Sequence, residues 1–208
     1  MERPAAAYLG AANGDDPAYY SIFQAAMEGI GVRRRRMILA GLPADDREFL
    51  AAADLIVLAG GDPVRGWRAF TASGIAELVA RRFYAGAVLI GISAGAVQLG
   101  WGVPAAGAEG NGGGASGLVA TFRLAPFFVD VHAEAEGWRR LARAVAASGT
   151  DVPGLGIPTG GAAVVHPDGT LEPVRHPLVE IVPATDGGEP EHHLLVPAAA
   201  AAARDETS

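Results

Sequence analysis

The sequence predicts an α/β protein with a three-layer αβα architecture and a mostly parallel central sheet. Dense apolar runs at residues 55–59 and 87–90 each end in a glycine-containing turn, and such runs are typical of strands buried on both faces of a parallel sheet. Segments of helical composition separate these runs. Strands that alternate with helices indicate a sheet that helices cover on both sides.

The composition is that of a globular chain. Of the 208 residues, 50% are hydrophobic and 19% are charged, which is typical of a packed domain. We expect one domain over residues 1–196 and an alanine-rich, frayed tail over residues 197–208. The start of the chain lacks the long apolar run of a signal peptide, and no stretch is apolar enough to span a membrane. A cytoplasmic protein is therefore expected.

Charge and cysteine content exclude several kinds of function. The formal net charge is -7, and an acidic chain binds nucleic acid poorly because phosphate contacts need clustered cations. The basic run at residues 33–36 is interpreted as a solvated approach to a strand rather than as an anion site. Cysteine is absent, which excludes disulfides, thiolate metal sites and a cysteine nucleophile.

The first half of the chain has a regular order of predicted elements. The predicted strands are residues 5–11, 35–40, 55–59 and 87–90. The predicted helices are residues 17–29, a short helix through 53, a helical region over 63–84 that is broken near Ser73-Gly74, and a short helix to about 99. Asp16 with Pro17 is a typical helix start, and Asp45 or Asp46 is expected to cap the second helix.

The second half of the chain is less regular. Residues 107–117 are rich in glycine and are predicted to form a loop, and residues 133–147 have the composition of a helix. Strands are predicted at residues 127–131, 161–165, 170–174 and 178–182.

A nucleophile elbow is the main chemical feature of the sequence. Gly91-Ile92-Ser93-Ala94-Gly95 has the G-x-S-x-G pattern at the end of an apolar strand and before a helix. In such a turn the serine is held in a strained backbone conformation, and small neighbours prevent clashes. The alternative is a tight turn in which Ser93 only caps the helix.

The predicted strand at residues 55–59 ends in a second glycine turn, Gly60-Gly61-Asp62. Loops at the carboxyl ends of neighbouring parallel strands meet in one crevice, so the N–H groups of Gly61 and Ala94 are predicted to form an oxyanion hole. A helix cap by Asp62 is compatible with this role.

A serine nucleophile needs a base, and histidine is the usual one. Of the five histidines, His132 follows the apolar residues 127–129, which places it at a predicted strand end. The other four lie in turn-like or polar segments: His166, His176, His192 and His193. No ligand spacing among them supports a metal site, and we expect neither a metal nor another cofactor.

Three segments together resemble the aspartyl dipeptidase and cyanophycinase family of serine peptidases: Gly60-Gly61-Asp62, Gly91-Ile92-Ser93-Ala94-Gly95-Ala96 and Val129-Asp130-Val131-His132. The resemblance implies a fold like that of class I glutamine amidotransferases, with Ser93 as nucleophile and His132 as base. It also implies an orienting acid between the two in sequence, for which Glu109 is the candidate. An exposed loop carboxylate is the alternative for Glu109.

The substrate-binding residues fit the family less well. Asp62, Asp130, Arg139 and Arg140 are the candidates. Relatives that cleave after acidic residues carry spaced arginines after the histidine, whereas here Glu134 and Glu136 intervene and the two arginines are adjacent. Such a change weakens a pocket for a carboxylate, so specificity for aspartyl or cyanophycin substrates is not predicted.

These observations predict a serine peptidase that acts on small peptides as a monomer or homodimer, with no nucleic-acid or membrane partner. One alternative is a non-catalytic amidotransferase-like domain that binds a small ligand or partner. An esterase of the larger α/β-hydrolase class is disfavoured because the chain is short for that fold.

Overall fold

A computed structural model of the chain describes residues 4–104, 118–184 and 188–198. The chain divides into two compact units, Met1–Leu99 and Gly100–Ser208. The glycine-rich segment 107–117, which contains Glu109, and most of the predicted tail lie outside the described residues. The prediction of one domain over residues 1–196 stays a prediction.

The first unit contains a four-stranded parallel sheet. Its strands are β1 (Ala5–Leu9), β2 (Arg34–Ile38), β3 (Leu55–Leu58) and β4 (Val88–Gly91). Their order is β2-β1-β3-β4. Every residue of β1 is buried, which explains why its sequence is uniformly apolar rather than alternating. The four strands predicted for this half of the chain are confirmed, with ends that shift by a few residues.

Five α-helices occur among residues 4–99: α1 (Pro17–Gly29), α2 (Ala44–Ala51), α3 (Pro63–Ser73), α4 (Ile75–Tyr84) and α5 (Ala94–Leu99). Asp16 caps α1 by accepting a hydrogen bond from the Ala18 N–H at 2.8 Å. The predicted break at Ser73-Gly74 is confirmed, because Gly74 has a φ of 81° and separates α3 from α4.

The predicted cap of α2 is wrong. Pro43 holds the N-cap position and makes no side-chain hydrogen bond. Asp46 is instead 3% exposed, where it accepts a hydrogen bond from the Leu39 N–H at 3.0 Å and pairs with Arg36 at 2.7 Å. A carboxylate at that depth is stable because it has these partners.

The basic run overlaps β2, which begins one residue earlier than predicted and contains Arg34, Arg35 and Arg36. Arg35 pairs with Glu28 at 3.4 Å, and the Arg34 guanidinium lies over the Phe49 ring at 5.5 Å from its centroid. In the sheet of the first unit β2 is an edge strand. Charged side chains on an edge disfavour pairing with another chain.

The second unit holds the remaining strands of the described residues: β5 (Gly102–Pro104), β6 (Leu118–Ala120), β7 (Phe128–Val131), β8 (Gly154–Ile157), β9 (Ala162–Val165), β10 (Leu171–Val174), β11 (Leu178–Val182) and β12 (Glu191–Leu195). Four of them form a mixed sheet in the order β12-β11-β8-β7. Within it, β7 and β8 are parallel and the other two pairings are antiparallel. Two antiparallel pairs, β5 with β6 and β9 with β10, complete the unit.

Helix α6 (Arg139–Ser148) begins later than the sequence predicts. A short 3-10 turn, Glu134–Glu136, comes first, and the left-handed backbone of Gly137 and Trp138 then interrupts the helix. Trp138 is 5% exposed and belongs to a core cluster with Leu141 and Ile181. Burial of this large indole is the tertiary interaction that accompanies the interruption.

Candidate active site

Ser93 lies between β4 and α5 and has an unusual backbone conformation. Its φ is 51°, in the left-handed region that side chains with a β-carbon rarely adopt. The Ser93 carbonyl accepts hydrogen bonds from the N–H groups of Ala96 at 2.9 Å and Val97 at 3.2 Å. A helix-capping serine has an extended backbone and bonds through its hydroxyl. Among the described residues the Ser93 hydroxyl has no such bond, so the geometry is that of an elbow.

The two glycines of the elbow are required by packing. A β-carbon on Gly91 would lie 2.5 Å from the Ala96 nitrogen. One on Gly95 would lie 2.2 Å from the Leu58 carbonyl oxygen. Both distances are shorter than atoms tolerate, and both involve backbone that has little room to move. The pattern that the sequence shows around Ser93 therefore has a direct steric cause.

The turn after β3 lies beside the serine. A β-carbon on Gly60 would lie 3.4 Å from the Ser93 β-carbon. Gly61 has a φ of 136°, and a side chain there would collide with the Ala12 carbonyl oxygen. Within residues 4–104, the N–H groups of Gly61 and Ala94 have no hydrogen-bond acceptor. They are the two donors that the sequence predicts for an oxyanion hole.

Asp62 caps α3, as the sequence allows. Its Oδ1 accepts hydrogen bonds from the N–H groups of Val64 at 2.8 Å and Arg65 at 3.0 Å. Pro63 occupies the first position of the helix. The carboxylate is exposed, and its predicted contact with substrate stays a prediction.

His132 comes directly after β7 in the second unit. It has a φ of 59°, its N–H donates to the Ile157 carbonyl at 3.2 Å, and its side chain is exposed. The His132 Nδ1 lies 3.3 Å from the Thr159 Oγ1. The predicted position of His132 at a strand end is thus confirmed.

Sequence reasoning missed Thr159. This residue follows β8, a strand that the sequence did not predict, and its N–H donates to the Glu134 Oε1 at 3.1 Å. The side chain next to the His132 Nδ1 is therefore a threonine and not an acid. The signal that was available is the glycine turn Gly156-Ile157-Pro158-Thr159-Gly160, which carries no acidic residue.

Asp130 and Arg140 pair with each other. Asp130 is 5% exposed, and the Arg140 Nη2 lies 2.5 Å from its Oδ1. The Arg140 Nε donates to Oδ2 at 3.3 Å, so the contact is bidentate. Arg139 is exposed and makes no ion pair with the described residues. Of the two adjacent arginines, Arg140 is thus held by the protein itself.

Two of the other histidines pair with glutamates of the second unit. Glu109 lies outside the described residues. His166 pairs with Glu172 at 3.0 Å and His193 with Glu191 at 3.3 Å. No group of three metal-ligating side chains occurs in the described part of the chain. No helix among those residues is long and apolar enough to cross a membrane.

Two solved structures define the class of fold. A peptidase from an acI-B1 Actinobacterium is 17% identical, with a TM-score of 0.65 over 93% of this chain and 81% of that one. A candidate peptidase E protein from Listeria monocytogenes EGD-e is 14% identical, with a TM-score of 0.52 over 92% and 85% of the two chains. The predicted three-layer α/β fold with a mostly parallel sheet is thereby confirmed.

The family follows from the sequence itself, because the model of peptidase family S51 matches residues 2–172. The chain belongs to peptidase family S51, and the predicted class of serine-type peptidase is confirmed. No curated protein matches the chain significantly.

Proposed function

We propose that this serine peptidase cleaves an amide bond of a small peptide, with Ser93 as nucleophile and His132 as general base. The observation that carries the proposal is the left-handed backbone of Ser93 in an elbow whose glycines are sterically required. Proteins retain such costly conformations where the function needs them. At Ser93 this conformation occurs together with the G-x-S-x-G pattern at a strand end, which is the arrangement of a nucleophile elbow.

The reaction follows the general course of serine hydrolases. The Ser93 Oγ attacks the scissile carbonyl carbon while the His132 Nε2 takes the hydroxyl proton, and the same imidazolium then protonates the leaving amine. In the second half of the reaction His132 takes a proton from water, the water attacks the acyl-enzyme, and the proton returns to the Ser93 oxygen as it leaves. The N–H groups of Gly61 and Ala94, which have no acceptor within residues 4–104, are proposed to stabilise the oxyanion.

Substrate contacts are proposed from the same four residues that the sequence singled out. The Arg140 guanidinium binds Asp130, which leaves Arg139 as the exposed cation for a substrate carboxylate. Asp130 and Arg140 then support the segment that carries His132, and Asp62 is available to a substrate amine. Glu109 stays the acid predicted by the family resemblance. A cytoplasmic location, a monomeric or dimeric state and the absence of nucleic-acid partners also stay predictions.

A fluorophosphonate probe tests this proposal, because it labels a serine only where a base activates the hydroxyl. We expect the wild-type protein to be labelled at neutral pH, and Ser93→Ala and His132→Ala to be unlabelled although folded by circular dichroism. Ser148→Ala, a change in an α6 serine that hydrogen-bonds to Val145 and Thr150, is the matched control. A folded wild-type protein without label would favour the non-catalytic alternative. If the wild type is labelled, a peptide-library screen with Ser93→Ala as the blank identifies the substrate.

A further inference from the structure

We propose that Thr159 and Glu134 orient the His132 imidazole through a hydrogen-bonded chain, in the role for which the family resemblance makes Glu109 the candidate. The His132 Nδ1 lies 3.3 Å from the Thr159 hydroxyl, and the Thr159 N–H donates to the Glu134 carboxylate at 3.1 Å. This inference rests on the proposed function, in which His132 is the base. Thr159 and Glu134 are positioning residues, since they act on the reaction through the histidine.

The sheet of the second unit brings His132 and Thr159 together. Strands β7 and β8 are parallel neighbours in which Val131 is opposite Ile157, and the His132 N–H continues the pairing to the Ile157 carbonyl. Residues that follow both strands therefore emerge at the same edge. This proximity places the Thr159 Oγ1 at 3.3 Å from the His132 Nδ1.

Two further contacts hold the threonine in place. The turn after β8 is closed by a hydrogen bond from the Gly161 N–H to the Pro158 carbonyl at 3.0 Å. The Thr159 N–H donates to the Glu134 Oε1 at 3.1 Å. Glu134 lies in the 3-10 turn that follows His132, so its carboxylate ties the histidine segment to the threonine turn.

The chemistry of the groups favours one direction for the proposed hydrogen bonds. Hydrogen bonds from the Glu134 N–H, the Thr159 hydroxyl and the Thr159 N–H lower the pKa of the Glu134 carboxyl, and the charge of His132 adds to this effect. A carboxylate only accepts hydrogen bonds, and a hydroxyl has one hydrogen to donate. In the proposed arrangement that hydrogen is directed to Glu134, and the Thr159 oxygen accepts from the His132 Nδ1–H, the two heavy atoms being 3.3 Å apart.

A single tautomer of His132 follows. Its Nδ1 carries the hydrogen and its Nε2 is unprotonated, which is the form that takes a proton from a serine. When His132 becomes an imidazolium, the ionised Glu134 at the end of the chain stabilises the added charge. His132, Glu134 and Thr159 are all exposed, so solvent weakens this electrostatic contribution, and orientation of the ring is the larger effect.

The tautomer is measurable without any assay of activity. Long-range ¹H–¹⁵N correlation spectra of the ¹⁵N-labelled full chain distinguish the two neutral forms, and His132→Asn assigns the signals. We expect the Nδ1–H form in the wild type and in Thr159→Ser, and a shift towards Nε2–H in Thr159→Val. An Nε2–H form in the wild type, or an unchanged Thr159→Val spectrum, overturns the proposal.

The labelling rate with the fluorophosphonate probe gives the functional test. Because loss of a general base costs about 10²–10⁴-fold, loss of its orientation in Glu134→Gln or Thr159→Val is expected to slow labelling by at least about tenfold. Thr159→Ser is expected to restore the rate. The matched control is Glu136→Gln in the same 3-10 turn, which is expected to react as the wild type does.

The two measurements separate this proposal from the proposed function. An unlabelled wild type contradicts the role of Ser93, while the tautomer still decides the role of Thr159. Wild-type labelling rates in both Glu134→Gln and Thr159→Val overturn the orienting chain and leave the peptidase mechanism intact. A loss of labelling that is confined to Glu109→Gln also overturns it, in favour of the acid that the sequence predicts.

Discussion

Ser93 and His132 share a backbone feature at the scale of the single residue. Both have positive φ, 51° and 59°, just beyond the end of a strand. Such conformations cost of order 1–3 kcal/mol each and persist where the surroundings enforce them. The Ser93 carbonyl accepts bonds from Ala96 and Val97 in an elbow that leaves no room for a β-carbon at Gly91 or Gly95. The His132 N–H donates to the Ile157 carbonyl.

Gly95→Ala tests the enforcement of the elbow. The added methyl would lie 2.2 Å from the Leu58 carbonyl oxygen, so we expect the free energy of unfolding to fall by about 1–3 kcal/mol and fluorophosphonate labelling to be lost. Gly29→Ala is the control, because no atom lies within 4 Å of the added group. Its stability is expected within about 0.5 kcal/mol of the wild type. Urea unfolding measures both, and equal stabilities would contradict the steric explanation.

At the scale of the element, β8 shows why the second half of the chain was harder to predict. Two of its four residues are glycine. Glycine has a low strand propensity, so the sequence did not indicate a strand here. The structure explains both glycines, because a β-carbon on Gly154 would lie 2.8 Å from the Leu141 Cγ and one on Gly156 would lie 2.7 Å from the Trp138 ring. The glycines therefore allow α6 to pack closely on the strand.

Gly156→Ala is expected to disturb this packing. Collision of the methyl with the Trp138 indole lowers the free energy of unfolding by about 1–3 kcal/mol, and Trp138→Leu in the same chain recovers part of the loss by making room. Additive effects of the two changes in urea unfolding would contradict the contact. Gly41→Ala, where no atom lies within 4 Å, is the matched control.

At the scale of the whole molecule, two tyrosines and two carboxyl groups make the free energy of unfolding depend on pH. The tyrosine pKa values are raised in the folded state, and the carboxyl pKa values are lowered. Burial raises the pKa of Tyr8 and of Tyr20, both of which belong to or pack against the core cluster of the first unit. Hydrogen bonds within the second unit lower the pKa of Glu134 and, through Thr170, of Asp168. The folded protein thus keeps tyrosines neutral and these carboxyls ionised more strongly than the unfolded chain does.

The loss of folding stability at alkaline pH tests the role of the tyrosines. Because the pKa of the tyrosines is higher in the folded state, their contribution is complete below about pH 10 and is lost as the pH rises towards the folded pKa. We expect urea unfolding between pH 8 and 11 to show a shallower loss of stability in Tyr20→Phe than in the wild type. Tyr84→Phe, at a side chain that is 79% exposed, is expected to follow the wild type. Identical slopes for Tyr20→Phe and the wild type would falsify the assignment.

The sequence by itself determined the class of fold, the elbow serine and the strand-end position of His132. These follow from local causes: uniformly apolar strands, glycines that a sharp turn requires, and an aspartate with a proline at a helix start. Only the tertiary structure decided what each side chain contacts. In the folded protein Asp46 pairs with Arg36 and Asp130 pairs with Arg140. The Thr159 hydroxyl lies at hydrogen-bond distance from His132. Such pairings depend on which strands become neighbours in a sheet. Thr159 lies near His132 because it follows β8, and the glycines of β8 are explained by the packing of α6 and Trp138 against this strand.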